Sequence, residues 1–173
     1  RFIRTFWALD KTLAAARHFP SINWLNSYSG YSDIIAAWHA QHGDPRWHEL
    51  QQEMMDILQE ESQLQEIVKL VGADTLPDSQ RLVLFIARLI KEAFLQQNAM
   101  DEIDGYTTPE KQRAILELID HAYKRGSKLI EMGMPSYRIE NQVSVWPQII
   151  RAKATVKNND QDTFKTIRAA MDE

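Results

Sequence analysis

The chain contains no cysteine, which excludes disulfides, thiol nucleophiles and zinc sites built on thiolates. Long apolar runs are missing too. The longest, Leu82–Ala87, has six residues, against the roughly 20 that a membrane-spanning helix needs. Direct membrane insertion is therefore not expected. Nor is there an excess of basic charge: 20 Lys and Arg stand against 24 Asp and Glu, a net charge of −4. No electrostatic footprint for nucleic acid is present. Glycine and proline number six each, and the chain has neither a low-complexity tract nor an internal repeat.

What remains is 173 residues, 44% hydrophobic and 25% charged. This is the composition of a soluble globular chain and fits one ordinary domain. The sequence opens on Arg1 rather than Met, with no signal-peptide pattern behind it, and reads as a piece of something longer.

Proline at positions 20, 45, 77, 109, 135 and 147 marks element boundaries or first helical turns, because it lacks a donor and clashes inside a helix. Between the prolines the apolar spacing is helical. Trp47, Leu50, Met54, Leu58, Ile67 and Val71 form one stripe of a helix from Arg46 to about Leu70, with Glu49, Gln52, Glu53, Gln59 and Glu60 toward water. Gly72 suits its end, and Pro77-Asp78 opens a second helix from Ser79 to about Gln97, with Leu82, Phe85, Leu89 and Phe94 broadened by Ile86 and Ile90. A third runs from Thr108-Pro109 to about Met132 on Ile115, Ile119, Ala122 and Tyr123. Pro147 heads a short helix to about Val156. Asp160 or Asp162 caps a last one carrying Phe164, Ile167 and Met171.

The first thirty residues differ. Phe2, Ile3, Phe6, Trp7 and Leu9 make a β-prone run ended by Asp10. An Ala-rich helix follows from Lys11 to Arg17, and His18–Ser32 is a polar-aromatic stretch. The fold class is mainly α: an antiparallel helical bundle with a strand and helix at the front that look orphaned.

The chemistry legible from the residues themselves is thin. His39, His42 and His48 lie near Trp38 and Trp47, but Gly43, Asp44 and Pro45 break any helix that would align them as metal ligands. They read as surface and cap histidines near a turn. Asp56, Glu60 and Glu61 read as a solvated helix face. The glycines, at 30, 43, 72, 105, 126 and 133, never give the spacing of a phosphate-cradling G-x-x-x-x-G-K-[ST] loop. No catalytic residue and no metal ligand is assigned.

Three blocks carry a resemblance. They are Phe6-Trp7-Ala8-Leu9-Asp10 with Arg17-His18-Phe19-Pro20-Ser21-Ile22-Asn23-Trp24-Leu25 and Ser27-Tyr28-Ser29, then Leu58-Gln59-Glu60-Glu61-Ser62-Gln63-Leu64-Gln65-Glu66-Ile67-Val68, then Phe94-Leu95-Gln96-Gln97-Asn98-Ala99. In this order they resemble the C-terminal part of the catalytic A (alpha) subunit of V-type and archaeal A-type rotary ATPases. The likeness covers residues 1 to about 125 and fades beyond. It implies a division of the chain: residues 1–30 end a RecA-like nucleotide-binding domain, and residues 31–173 form the C-terminal helical domain. The P-loop, the catalytic glutamate and the magnesium ligands would lie upstream, so this stretch alone is expected to be inactive and to hold no nucleotide of its own.

The resemblance also implies sites and partners. Phe19 occupies the place of an aromatic that stacks on adenine. Met100 stands where the family's Gln-Asn-Ala-Phe has a second aromatic, and Tyr106 is the candidate to supply the missing ring. The turn Gly72, Ala73, Asp74, Thr75, Leu76, Pro77 and Asp78 is similar in position to the acidic tip that presses on the rotor shaft. Single alanine changes at Asp74 or Asp78 are expected to matter little there, since exposed charges contribute under about 1 kcal/mol. The implied cofactors are ATP or ADP with magnesium in the parent subunit. The implied partners are the central stalk and the non-catalytic B subunit, in a cytoplasmic head peripheral to the membrane. Two other readings stay open: a helical interaction module without a nucleotide role, and the non-catalytic sister subunit of the same complex.

Overall fold

The computed structural model describes residues 3–42 and 44–172. Arg1, Phe2, Gly43 and Glu173 lie outside the described residues, and with them the parts of the expectations above that used Phe2 and Gly43. The elements run β1 (Thr5–Leu9), α1 (Lys11–Ala15), β2 (Ile22–Ser29), α2 (Ser32–Gln41), α3 (Trp47–Val71), α4 (Asp78–Leu89), α5 (Pro109–Glu131), α6 (Ser136–Gln142), α7 (Trp146–Thr155) and α8 (Gln161–Asp172). The mainly-α bundle is present, with a small sheet at its front.

That sheet is an antiparallel β1–β2 pair in which Thr5 faces Ser29 and Phe6 faces Tyr28. The register then slips, so that Ala8 faces Asn23 and Leu9 faces Ile22. Asn23 accounts for the bulge: its Oδ1 accepts from the amides of Leu25 and Asn26, and the Ser27 hydroxyl accepts from Ala8 N. Asp10 caps α1 by accepting from Thr12 N and Leu13 N, and its other oxygen takes the Asn23 amide at 2.9 Å. Within the polar-aromatic stretch Ile22–Ser29 is thus a strand, and Ser32–Gln41 is a helix. Their apolar residues are largely exposed, so helical or strand periodicity toward a core was absent from them.

The core lies between α3, α4, α5, α7 and α8. Leu50, Met54, Leu58, Leu82, Phe85, Ile86, Leu89, Ile115, Ile119, Phe164 and Ile167 are all buried in it, as the helical stripes predict. Ile67 and Val71 are not. Both are exposed, because α3 runs on beyond Leu64, the last of its residues to be buried. α4 does not continue as an α-helix to Gln97 either. It widens into a π-helix over Ile90–Leu95, where Gln96 N donates to Lys91 O at 2.8 Å.

Two further expectations are corrected here. Glu61 is buried rather than solvated: Lys91 Nζ donates to its Oε1 at 2.7 Å, with Gln65 Nε2 at 3.1 Å. His39 is buried as well, its ring stacked on Trp47 at 4.6 Å and facing Asp44, whereas His42 and His48 are exposed. Among the described residues no three His, Asp or Glu side chains gather as a metal site, and no helix is long and apolar enough to cross a membrane.

Candidate functional site

The π-helix delivers the chain into a groove. After Leu95 the backbone turns extended at Gln96, and Gln97 N donates to the carbonyl of Phe19 at 2.8 Å. This bond seats the loop after α1, with its cis Phe19–Pro20 peptide, against the end of the π-helix. Gln96 Nε2 adds a bond to Arg17 O. Between the two segments opens a groove of about 820 Å³, whose walls include Phe19, Pro20, Gln96, Asn98, Met100 and Lys153.

Two carboxylates on the groove lining, Asp101 and Asp104, hold the loop after the π-helix. Asp104, buried in the loop, accepts from Asn98 N at 2.7 Å, and its carbonyl takes the Gln97 side chain at 2.6 Å. Asp101 Oδ1 accepts from the amides of Ile103 and Asp104. Those two N–H groups, Asp104's foremost, hold the Asp101 carboxyl below its ordinary range.

Phe19 and Met100 therefore share one groove and both present themselves to solvent, at 53% and 94% exposure. Tyr106 is 74% exposed and is not on the groove wall. Its carbonyl accepts from Asn158 instead. Sequence reasoning missed Lys153, Gln97 and Asp104. A signal existed for Lys153: it lies four residues after Ile149 and seven after Trp146, a lysine on an otherwise apolar helical stripe.

The second place is the turn between α3 and α4. Gly72 has φ 83° and ψ 154°, a region that essentially only glycine occupies, and a single 3-10 turn over Ala73–Thr75 follows. Arg81 stiffens the turn by donating to Leu76 O at 3.2 Å and Asp74 O at 2.7 Å, and it pairs with Asp74 Oδ1. Gly72, Ala73, Asp74, Thr75 and Pro77 are exposed, Leu76 is buried, and Asp78 is half-buried. Asp78 Oδ1 accepts both the hydroxyl and the amide of Ser136, and these bonds hold its carboxyl below the usual carboxylate range. The expectation that Asp78 is a dispensable surface charge is corrected by this tie. Next to the turn, Leu70 and Val71 stand exposed, an apolar edge that the acidic reading of the tip overlooked.

Comparison with known proteins decides the family. Residues 36–138 match the family described as the C-terminal domain of V and A type ATP synthase. The chain belongs to that family. This V/A-type ATP synthase C-terminal domain accounts for α3, α4, α5 and the tip between the first two. Relatives extend the likeness to the ends of the chain. The V-type ATP synthase alpha chain of Halothermothrix orenii is 46% identical over 173 residues, all of this chain and 29% of the relative. The A subunit of the A-type ATP synthase of Metallosphaera sedula is 43% identical over 177 residues, again all of this chain and 30% of the relative. That of Saccharolobus solfataricus is 44% identical over 172 residues, 99% of this chain and 29% of the relative. The chain thus spans under a third of these relatives' length, and the likeness includes the last fifty residues as well.

Proposed function

We propose that this V/A-type C-terminal domain serves within a catalytic A subunit of a rotary ATPase. The parent couples ATP hydrolysis or synthesis to proton or sodium transport in a cytoplasmic head peripheral to the membrane. Residues 1–30 end the nucleotide-binding domain, and residues 31–173 form the helical domain that follows it. The parent supplies the P-loop, the catalytic groups and the magnesium that accompanies ATP or ADP, and this stretch alone turns over no ATP. Its contributions are two: one wall of the adenine pocket, and a rigid tip toward the central stalk, with the non-catalytic B subunit as neighbour.

The observation that supports this reading most strongly is the full-length likeness to subunits named for ATP synthesis, joined to the groove shared by Phe19 and Met100. An exposed aromatic on an open groove suits a base, since stacking contributes about 1–3 kcal/mol. A thioether against a purine adds about 0.3–1.5 kcal/mol. In the tip, α3 is 25 residues long, about 37 Å at 1.5 Å per residue, and its turn is braced by Arg81. A closing motion upstream would swing it as a body.

The test is Phe19→Ala in the full-length subunit. The affinity for ATP should fall about 5- to 150-fold with inorganic tripolyphosphate binding unchanged. Unaltered ATP affinity would remove Phe19 from the pocket.

A further inference from the structure

Lys153 enters the groove from α7, far in sequence from Phe19. Its Nζ donates to two backbone carbonyls, Glu92 O at 2.6 Å and Gln96 O at 2.5 Å. Both carbonyls lie at the C-terminal end of the π-helix, where helical amide donors run out and an ammonium also meets the negative end of the helix dipole. Behind it the fully buried Lys111 donates to the carbonyl of Lys153 itself at 2.6 Å. Burial pushes both ammonium groups below the ordinary lysine range. Removing an ammonium from water carries a substantial cost. An apolar side chain would fill the same stripe position of α7 without it, so stability by itself gives little reason for a lysine here.

Position gives one. Gln96 begins the segment that turns to bond Phe19 O through Gln97 N and to carry Met100 on the groove wall. We infer that Lys153 is a positioning residue for the base pocket, fixing the exit of the π-helix so that the Phe19 and Met100 walls stand at the separation a purine needs. The inference rests on the base-pocket reading above. It assigns to α7 a part in nucleotide recognition through the two carbonyls it holds. The Lys153 Nζ is engaged by the Glu92 and Gln96 carbonyls, so no part in holding the triphosphate is assigned to it.

The experiment compares Lys153→Met, Lys153→Arg and Phe19→Ala in the full-length subunit, measuring equilibrium affinity for MgATP and for inorganic tripolyphosphate. Lys153→Met should weaken ATP about 2- to 30-fold and leave tripolyphosphate unchanged, because only the base wall is displaced. Lys153→Arg, which keeps charge and donors, should recover most of the loss. If Lys153→Met does not assemble, Lys153→Gln carries the same expectation. A selective loss in Phe19→Ala with no change in the Lys153 variants would overturn the role of Lys153 alone. Equal losses of ATP and tripolyphosphate in Lys153→Met would overturn it too, by showing general disruption. Normal ATP binding by the Phe19→Ala variant would remove the pocket reading and this inference together.

Discussion

Ser136 gives both of its donors to one oxygen of Asp78, the amide at 2.9 Å and the hydroxyl at 2.7 Å. The root of the α3–α4 tip is thereby tied to the start of α6, and Ser136 is completely buried in the process.

The tie has a pH signature. Since the bonds lower the folded Asp78 carboxyl below its unfolded value of about 3.9, their contribution is complete above that value and is lost as pH falls through the lower folded one. Asp78→Asn keeps an acceptor that does not titrate. Thermal unfolding followed through the acidic range should show a shallower decline in Asp78→Asn than in the wild type. Parallel curves would mean that Asp78 contributes nothing to acid sensitivity.

Glu61 and Lys91 make a pair that one-sided substitution should expose. Lys91→Met leaves a buried carboxylate with only Gln65 as partner, at a cost of about 2 kcal/mol in denaturant unfolding. The double variant Lys91→Met with Glu61→Leu should regain most of that loss, since an apolar pair avoids the desolvation penalty. A double-mutant cycle without coupling would show that the pair is not an energetic unit.

Gly105 is required by a close approach. A Cβ there would stand 2.6 Å from Asp101 O and 3.1 Å from Ala99 O, both backbone atoms of the loop bearing Met100. Gly105→Ala should destabilise by about 1–3 kcal/mol, read by chemical unfolding. In the full-length subunit it should also weaken ATP binding.

At the tip, the backbone of Gly72 sets the cost: Gly72→Ala should lose about 1–3 kcal/mol although open space surrounds the position. Replacing Val71–Ser79 by a flexible Gly/Ser segment of equal length should spare nucleotide binding and reduce rotation-coupled work in the assembled complex. Full coupling after that exchange would refute the lever role.

Residue spacing along the chain was enough to specify α3, α4, α5, α7 and α8, and it missed α2 and α6. Apolar residues three and four apart bury a stripe wherever a helix has neighbours, so Leu50, Leu58, Ile86, Ile119 and Phe164 were readable as core. Asp160, which accepts from Thr163 N, was readable as a cap for the same local reason. Packing in three dimensions settled whatever depends on partners distant in the chain. β2 exists because β1 pairs with it, and Glu61 is buried because Lys91 arrives thirty residues later to neutralise it. The groove is of this second kind: α1's following loop, the π-helix exit and α7 meet there through Gln97, Phe19 and Lys153. Periodicity records which face of a helix avoids water. It carries no record of which carbonyl a lysine on that face will find, because that is fixed only when the helices pack.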